Sequence, residues 1–220
     1  MKSLMKIFNL IILDESGSMH SIKNATLSGF NEVFETIRQA ETSNENQVHF
    51  VSFFSFNTDG IKTQLFNQPA SMLKALTADQ YQPRNGTPLY DAMGFALSKQ
   101  RDSLDGYQDA AVLVTILTDG EENASREYSG MAITALIDEL KKLGWTITYI
   151  GANHDVYAFS KKHGIDNAMS YRANEKDMRK AFAQERHSRV MFYMAPEKKT
   201  GKDFFKDASE AEKEGKDPKK

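Results

Sequence analysis

The sequence predicts an α/β fold: a doubly wound, mostly parallel sheet with helices on both faces and one antiparallel edge strand. Three observations carry that expectation. Short apolar runs alternate with helical patterns along the chain, the order that builds βαβ units. Two of those runs, 7–13 and 110–120, are apolar almost without alternation, as central strands covered on both faces are. One pair of runs is joined by the tight turn "NTDG" (57–60), which adds an antiparallel edge partner.

The first strand, "IFNLIIL" (7–13), follows Lys2 and Lys6 and so imitates a secretion signal. Asn9 interrupts the run, no small-residue cleavage site follows, and Asp14 and Glu15 stand where cleavage would begin. A helix comes next, with Ile22, Phe30, Val33, Phe34 and Ile37 on one face. "QVHFVSFFSF" (47–56) is β-branched and aromatic, a strand, and "IKTQLF" (61–66) is its antiparallel neighbour. After a loop containing Pro69 and Pro83, "NGTPLYDAMGFALSKQ" opens a helix with Pro88 in its first turn. The strand 110–120 ends in Asp-Gly. Ile133, Leu136, Ile137 and Leu140 mark a helix that Gly144 stops. "WTITYIGA" is a strand, "VYAFSKKHG" a short helix and "AMSY" a last strand, and 174–190 is helical. One domain is therefore expected over 1–195. The charged segment 196–220 reads as a disordered tail, in which Phe204 and Phe205 suit a buried pair and a docking spot equally.

Composition narrows the function. Hydrophobic residues at 40% and charged residues at 26% are ordinary for a globular protein. A net charge of −2 argues against binding nucleic acid through its phosphates. There are no cysteines, which excludes disulfides and thiolate metal sites and fits a reducing cytosol. No run reaches the roughly 18 apolar residues of a membrane helix. A cytoplasmic protein, monomeric on its own, is expected.

In sheets of this kind ligands collect at the carboxyl ends of strands, near the point where strand order reverses. That rule picks out "LDESGSM", "LTDGEEN" and "GANHD". Asp14, Ser16 and Ser18 follow the first strand, Thr87 sits behind Asn85-Gly86, and Asp119 ends a later strand. All five are hard oxygen donors, suited to Mg²⁺, Mn²⁺ or Ca²⁺. The alternate spacing lets Ser16 and Ser18 point the same way, with Gly17 allowing close approach. Three neutral hydroxyls leave a cation short of negative charge, and two carboxylates behind them keep it bound without quenching it.

"DESGSM", the Thr of "NGTPLYDA" and the Asp of "LTDGEEN" resemble, in order and spacing, the three parts of the metal-ion-dependent adhesion site of von Willebrand factor A-type domains. The likeness spans about residues 5–190. It implies that Ser16, Ser18 and Thr87 are direct or near-direct ligands, that Asp14 and Asp119 hold coordinating waters or bind directly, and that a partner's Asp or Glu completes the shell. With no cysteine and no leader or anchor expected, the chain looks closer to small intracellular bacterial members. Those act as scaffolds beside ATPases or phosphorylation enzymes.

Each motif alone has a plainer reading: Ser-Gly-Ser as a turn with Asp14 capping the next helix, Thr87 as an N-cap, Asp119-Gly120 as a turn pair. An EF-hand fails, because Met19 and Ala25 occupy the positions of its Gly and Glu. A P-loop fails for lack of Gly-Lys-Ser/Thr. Asp14 as a phosphoryl-accepting nucleophile lacks a second acid at position 16. His49 reads as packed in a strand, His163 as a surface residue, His20 and His154 as rim, and Glu121 and Glu122 as solvated charges. The function expected is a divalent-metal-dependent protein-binding module without enzymatic activity. The alternative is a metal-assisted phosphohydrolase with His154 as its base.

Overall fold

The computed structural model describes residues 4–107, 110–152, 155–196 and 204–205. Along the chain come β1 (Met5–Asp14), a 3-10 turn (Gly17–Ile22), α1 (Lys23–Ser43), β2 (Gln47–Asn57) and β3 (Gly60–Pro69). A second 3-10 turn (Ala70–Met72), α2 (Leu89–Ser103), β4 (Ala110–Thr118) and α3 (Gly130–Lys142) follow. The chain then forms β5 (Thr146–Ala152), α4 (Val156–Lys162), β6 (Asn167–Tyr171) and α5 (Glu175–Met194). The strands form one six-stranded sheet in the order β3-β2-β1-β4-β5-β6. Only the β2–β3 pair is antiparallel. This is the mixed α/β architecture that the alternating pattern predicts.

Successive residues of a strand face opposite sides of the sheet, and β1 uses both sides. Ile7, Ile11 and Leu13 join the core under α1 and α5, while Phe8, Leu10 and Ile12 join the core under α2 and α3. Strand order reverses at β1: its register places Asp14 beside Phe56 of β2, and Leu13 beside Leu117 of β4. The carboxyl ends of β1 and β4 therefore open one crevice at the switch point.

Some boundaries differ from expectation for local reasons. Helix α2 begins at Leu89, after Pro88, because Asn85 takes a left-handed backbone (φ 66°) and the segment through Thr87 is bonded to other loops. Strand β3 runs to Pro69, where the missing N–H is harmless at a sheet edge. Phe204 is buried against Phe192, and its N–H donates to Asn167, so this residue is core and not a docking spot. The rest of the expected tail, apart from Pro196 and Phe205, lies outside the described residues.

Asn9 shares the face of Ile7 and Ile11, and there it meets a buried polar group. Arg189 of α5 is fully buried, donating to Glu185, Asn9, Tyr193 and Thr115. His49 of β2 packs edge-on to Tyr193, with ring centroids 4.6 Å apart. Burial pushes His49 down from 6.5 to about 4, and the Arg189 charge adds to the fall. On acidification the unfolded chain takes up this proton first. Stability tied to neutral His49 is thus complete above pH 6.5 and lost between 6.5 and about 4. The loss is on the order of 3 kcal/mol. Asp14, raised to about 6, acts with the opposite sign over an overlapping window, so the comparison must be between chains. In urea unfolding, the stability of wild type relative to His49→Gln should fall between pH 7 and 5. A difference that stays constant over that range contradicts the assignment.

Candidate metal centre

The end of β1 answers why two acids stand side by side. On extended backbone Asp14 and Glu15 point in opposite directions. Glu15 is buried toward β2 and β3, where its carboxylate accepts from Lys62 Nζ (3.0 Å), Ser55 Oγ (2.9 Å) and the Gln82 N–H (2.9 Å). It pins the hairpin and the 82–84 loop to β1. Asp14 turns into the crevice. Its Oδ1 accepts the Ser16 N–H (2.7 Å) and its Oδ2 the Thr118 hydroxyl (2.5 Å), while Tyr81 donates to its carbonyl (2.8 Å). It does not cap α1, and that plainer reading is set aside.

The Asp14 contact fixes the start of the next loop, and Gly17 N–H donates to the Asn85 carbonyl at 2.9 Å, stitching it to the segment that carries Thr87. Ser16 and Ser18 bring their hydroxyls together at 3.1 Å, as expected, though through the 3-10 turn that begins at Gly17 and not through an extended loop. Ser18 donates to Asp119 Oδ1 at 2.6 Å, which joins the first loop to the end of β4 across 101 residues. Thr87 arrives on the same spot. A Cβ added to Gly120 would lie 3.1 Å from Thr87 Oγ1 and 3.4 Å from Ser18 Oγ. All five residues singled out by sequence are therefore together. Thr87 makes no side-chain cap for α2.

Does this cluster suit a divalent cation? Asp14 and Asp119 are both buried, and Asp14 accepts from a hydroxyl and an amide, with no cationic partner among the described residues. Burial raises Asp14 to about 6, with the Asp119 charge adding to the rise. A doubly charged ion would relieve that cost. The hydroxyls of Ser16, Ser18 and Thr87 supply hard oxygens beside the carboxylates, and Gly120 leaves the space between Thr87 and Ser18 clear. Among the described residues no three His, Asp or Glu side chains form a metal-binding group. The donor set fits a hard cation held mainly by hydroxyls.

Sequence reasoning missed how the site is supported. Glu122 is not a solvated charge: its carboxylate accepts the N–H groups of Tyr90, Ala124 and Ser125 and the Ser125 hydroxyl. Asp91 accepts those of Arg126, Glu127 and Tyr128. The first turn of α2 is thus capped from a loop 32 to 34 residues away in sequence, a pairing without a local signal. His163 is fully buried, between Tyr90 (3.2 Å) and Thr134 (2.9 Å), and is not a surface residue. Burial lowers its pKa. His20 is exposed, and His154 lies outside the described residues.

Comparison with known proteins places the chain in a family. No curated protein sequence matches the chain. Among solved structures it is similar to the PilB minor pilin from Streptococcus sanguinis, with 14% identity over 86% of this chain and 62% of that one, and a TM-score of 0.60. The chain thus spans less than two thirds of that pilin. It is also similar to the vWF domain of the pili tip protein Mfa5 from Porphyromonas gingivalis (8% identity, 86% and 96% covered, TM-score 0.60). A third relative is the manganese-loaded TRAP protein of Plasmodium vivax (14% identity, 82% and 74% covered, TM-score 0.51). At such identities these likenesses concern the fold. No helix among the described residues is long and apolar enough to cross a membrane. Residues 10–206 match the family model of the von Willebrand factor type A domain, and the chain belongs to that family.

Proposed function

We propose that the chain is a protein-binding module that holds a divalent cation, Mg²⁺ in the first instance, and uses it to capture an Asp or Glu side chain of a partner. The observation that supports this reading is the meeting of Asp14, Ser16, Ser18, Thr87 and Asp119 at the switch point of the sheet. Ser16, Ser18 and Thr87 hold the ion through neutral oxygens. Asp14 and Asp119 stand behind them, Asp14 oriented by Thr118 and Ser16. When bound, the cation supplies an electrophilic centre that favours an anionic oxygen from outside. Family membership agrees, since these domains often mediate protein–protein contacts in a metal-dependent way, and one relative is manganese-loaded.

The proposal extends to an intracellular scaffold or regulator beside an ATPase or a kinase or phosphatase system, in keeping with the absence of cysteine. It includes no turnover. Capture of partners from host lysate in Mg²⁺, and its loss in EDTA and in Thr87→Ala, is the expected result. Capture that survives both treatments contradicts the metal's role. Mg²⁺-dependent hydrolysis of phosphoesters by the purified chain would replace binding with catalysis.

A further inference from the structure

The five donors differ in how they are held. Ser16 and Ser18 are restrained through their own hydroxyls, and Asp14 through both carboxylate oxygens. Among the described residues no hydrogen bond restrains the Thr87 hydroxyl, so its place depends on the backbone beneath it. That backbone is unusual. Asn85 is left-handed, Gly86 is tightly enclosed, since a Cβ there would lie 3.1 Å from both Asn123 Oδ1 and Thr58 Cγ2, and Pro88 follows. Among the described residues no strand or helix partner bonds the Thr87 peptide.

Asn123 fixes it. The Thr87 N–H donates to Asn123 Oδ1 at 2.9 Å, and the Asn123 N–H donates back to the Thr87 carbonyl at 3.2 Å. One residue therefore closes a two-bond clasp on both sides of Thr87. Asn123 sits four residues after Asp119, on a loop made rigid by Glu122 and Asp91, whose carboxylates together take five backbone N–H groups of residues 124–128. The segment bearing Thr87 and the loop bearing Asp119 are thus joined.

We infer that Asn123 is a positioning residue for cation binding: its clasp sets where the Thr87 hydroxyl stands relative to Ser18 and Asp119. It acts through Thr87. This inference rests on the cation-binding reading above. Residues that orient a metal ligand typically change affinity ~10–100-fold when removed, and that is the fall in Mn²⁺ affinity expected for Asn123→Ala by titration calorimetry. Asn123→Asp keeps the accepting oxygen and is expected to restore affinity close to wild type. Asp119→Ala serves as the control for a lost site, and unfolding in EDTA as the control for folding.

A second readout needs no metal. In EDTA, hydrogen exchange at the Thr87 amide should be slow in wild type and Asn123→Asp, and fast in Asn123→Ala. Unchanged Mn²⁺ affinity in Asn123→Ala, with wild type binding, overturns the positioning role and leaves the cation site standing. Equal Thr87 exchange in wild type and Asn123→Ala overturns the clasp itself. Wild type that takes no Mn²⁺ overturns both the cation reading and the inference built on it.

Discussion

Arg189→Met is expected to cost about 3–5 kcal/mol, the usual penalty for removing one partner of a buried ion pair. Arg189 is among the largest fully buried side chains, and its guanidinium donates to Glu185, Asn9, Tyr193 and Thr115. Methionine fills a similar volume, so the loss comes from polarity. Glu185 is left as a buried, unpaired carboxylate, and Asn9 and Thr115 lose a donor in a place water does not reach. The same contacts fasten α5 to β1 and β4, so the change also loosens the last helix. Urea unfolding should show a lower midpoint with an unchanged slope. Replacing Glu185 together with Arg189, for example Glu185→Leu with Arg189→Met, should recover much of the loss, because the stranded charge is removed. A single variant within experimental error of wild type would show that the buried pair does not hold α5.

The second large effect concerns the cation. A ligand that binds only the folded state, present at 1,000 times its Kd, raises stability by about 4 kcal/mol. The native chain in saturating Mg²⁺ should gain that much over EDTA, and Asp119→Ala should gain nothing while remaining folded. Asp14→Asn provides a sharper pattern. Burial raises the Asp14 carboxyl to about 6, so at neutral pH the metal-free protein carries the cost of a buried charge. Removing the charge should therefore raise the unfolding temperature in EDTA and abolish the rise in Mg²⁺. A merely structural aspartate would lose stability in both conditions. Equal unfolding curves with and without Mg²⁺ in the native chain count against the site.

What the sequence displays follows from how local each feature is. Asp14, Ser16 and Ser18 lie within five residues of chain, from the end of β1 into the first 3-10 turn, so short-range geometry brings their oxygens together. The register of β1 with β4 then brings Asp119 near: Leu13 pairs with Leu117, Thr118 donates to Asp14, and Asp119, the next residue, accepts from Ser18. The polar partnerships are a different matter. Asn9 reads as a blemish in an apolar run, and its partner Arg189 lies 180 residues away, in a helix whose pattern is largely polar. His163 beside Gly164 has the look of a helix end in water, yet Tyr90 and Thr134 arrive from two other helices to bury it. Glu122 resembles its exposed neighbour Glu121 until it is seen capping α2 from outside that helix. Periodicity and turn chemistry reveal elements and strand ends, whereas contacts across the fold leave no trace in neighbouring residues.

Crystals grown with millimolar Mn²⁺ and measured for its anomalous scattering test the central claim most directly. The account predicts one strong peak enclosed by the hydroxyls of Ser16, Ser18 and Thr87, with Asp14 and Asp119 behind it. Ordered side chains in the arrangement described above, with no peak among them, would contradict it.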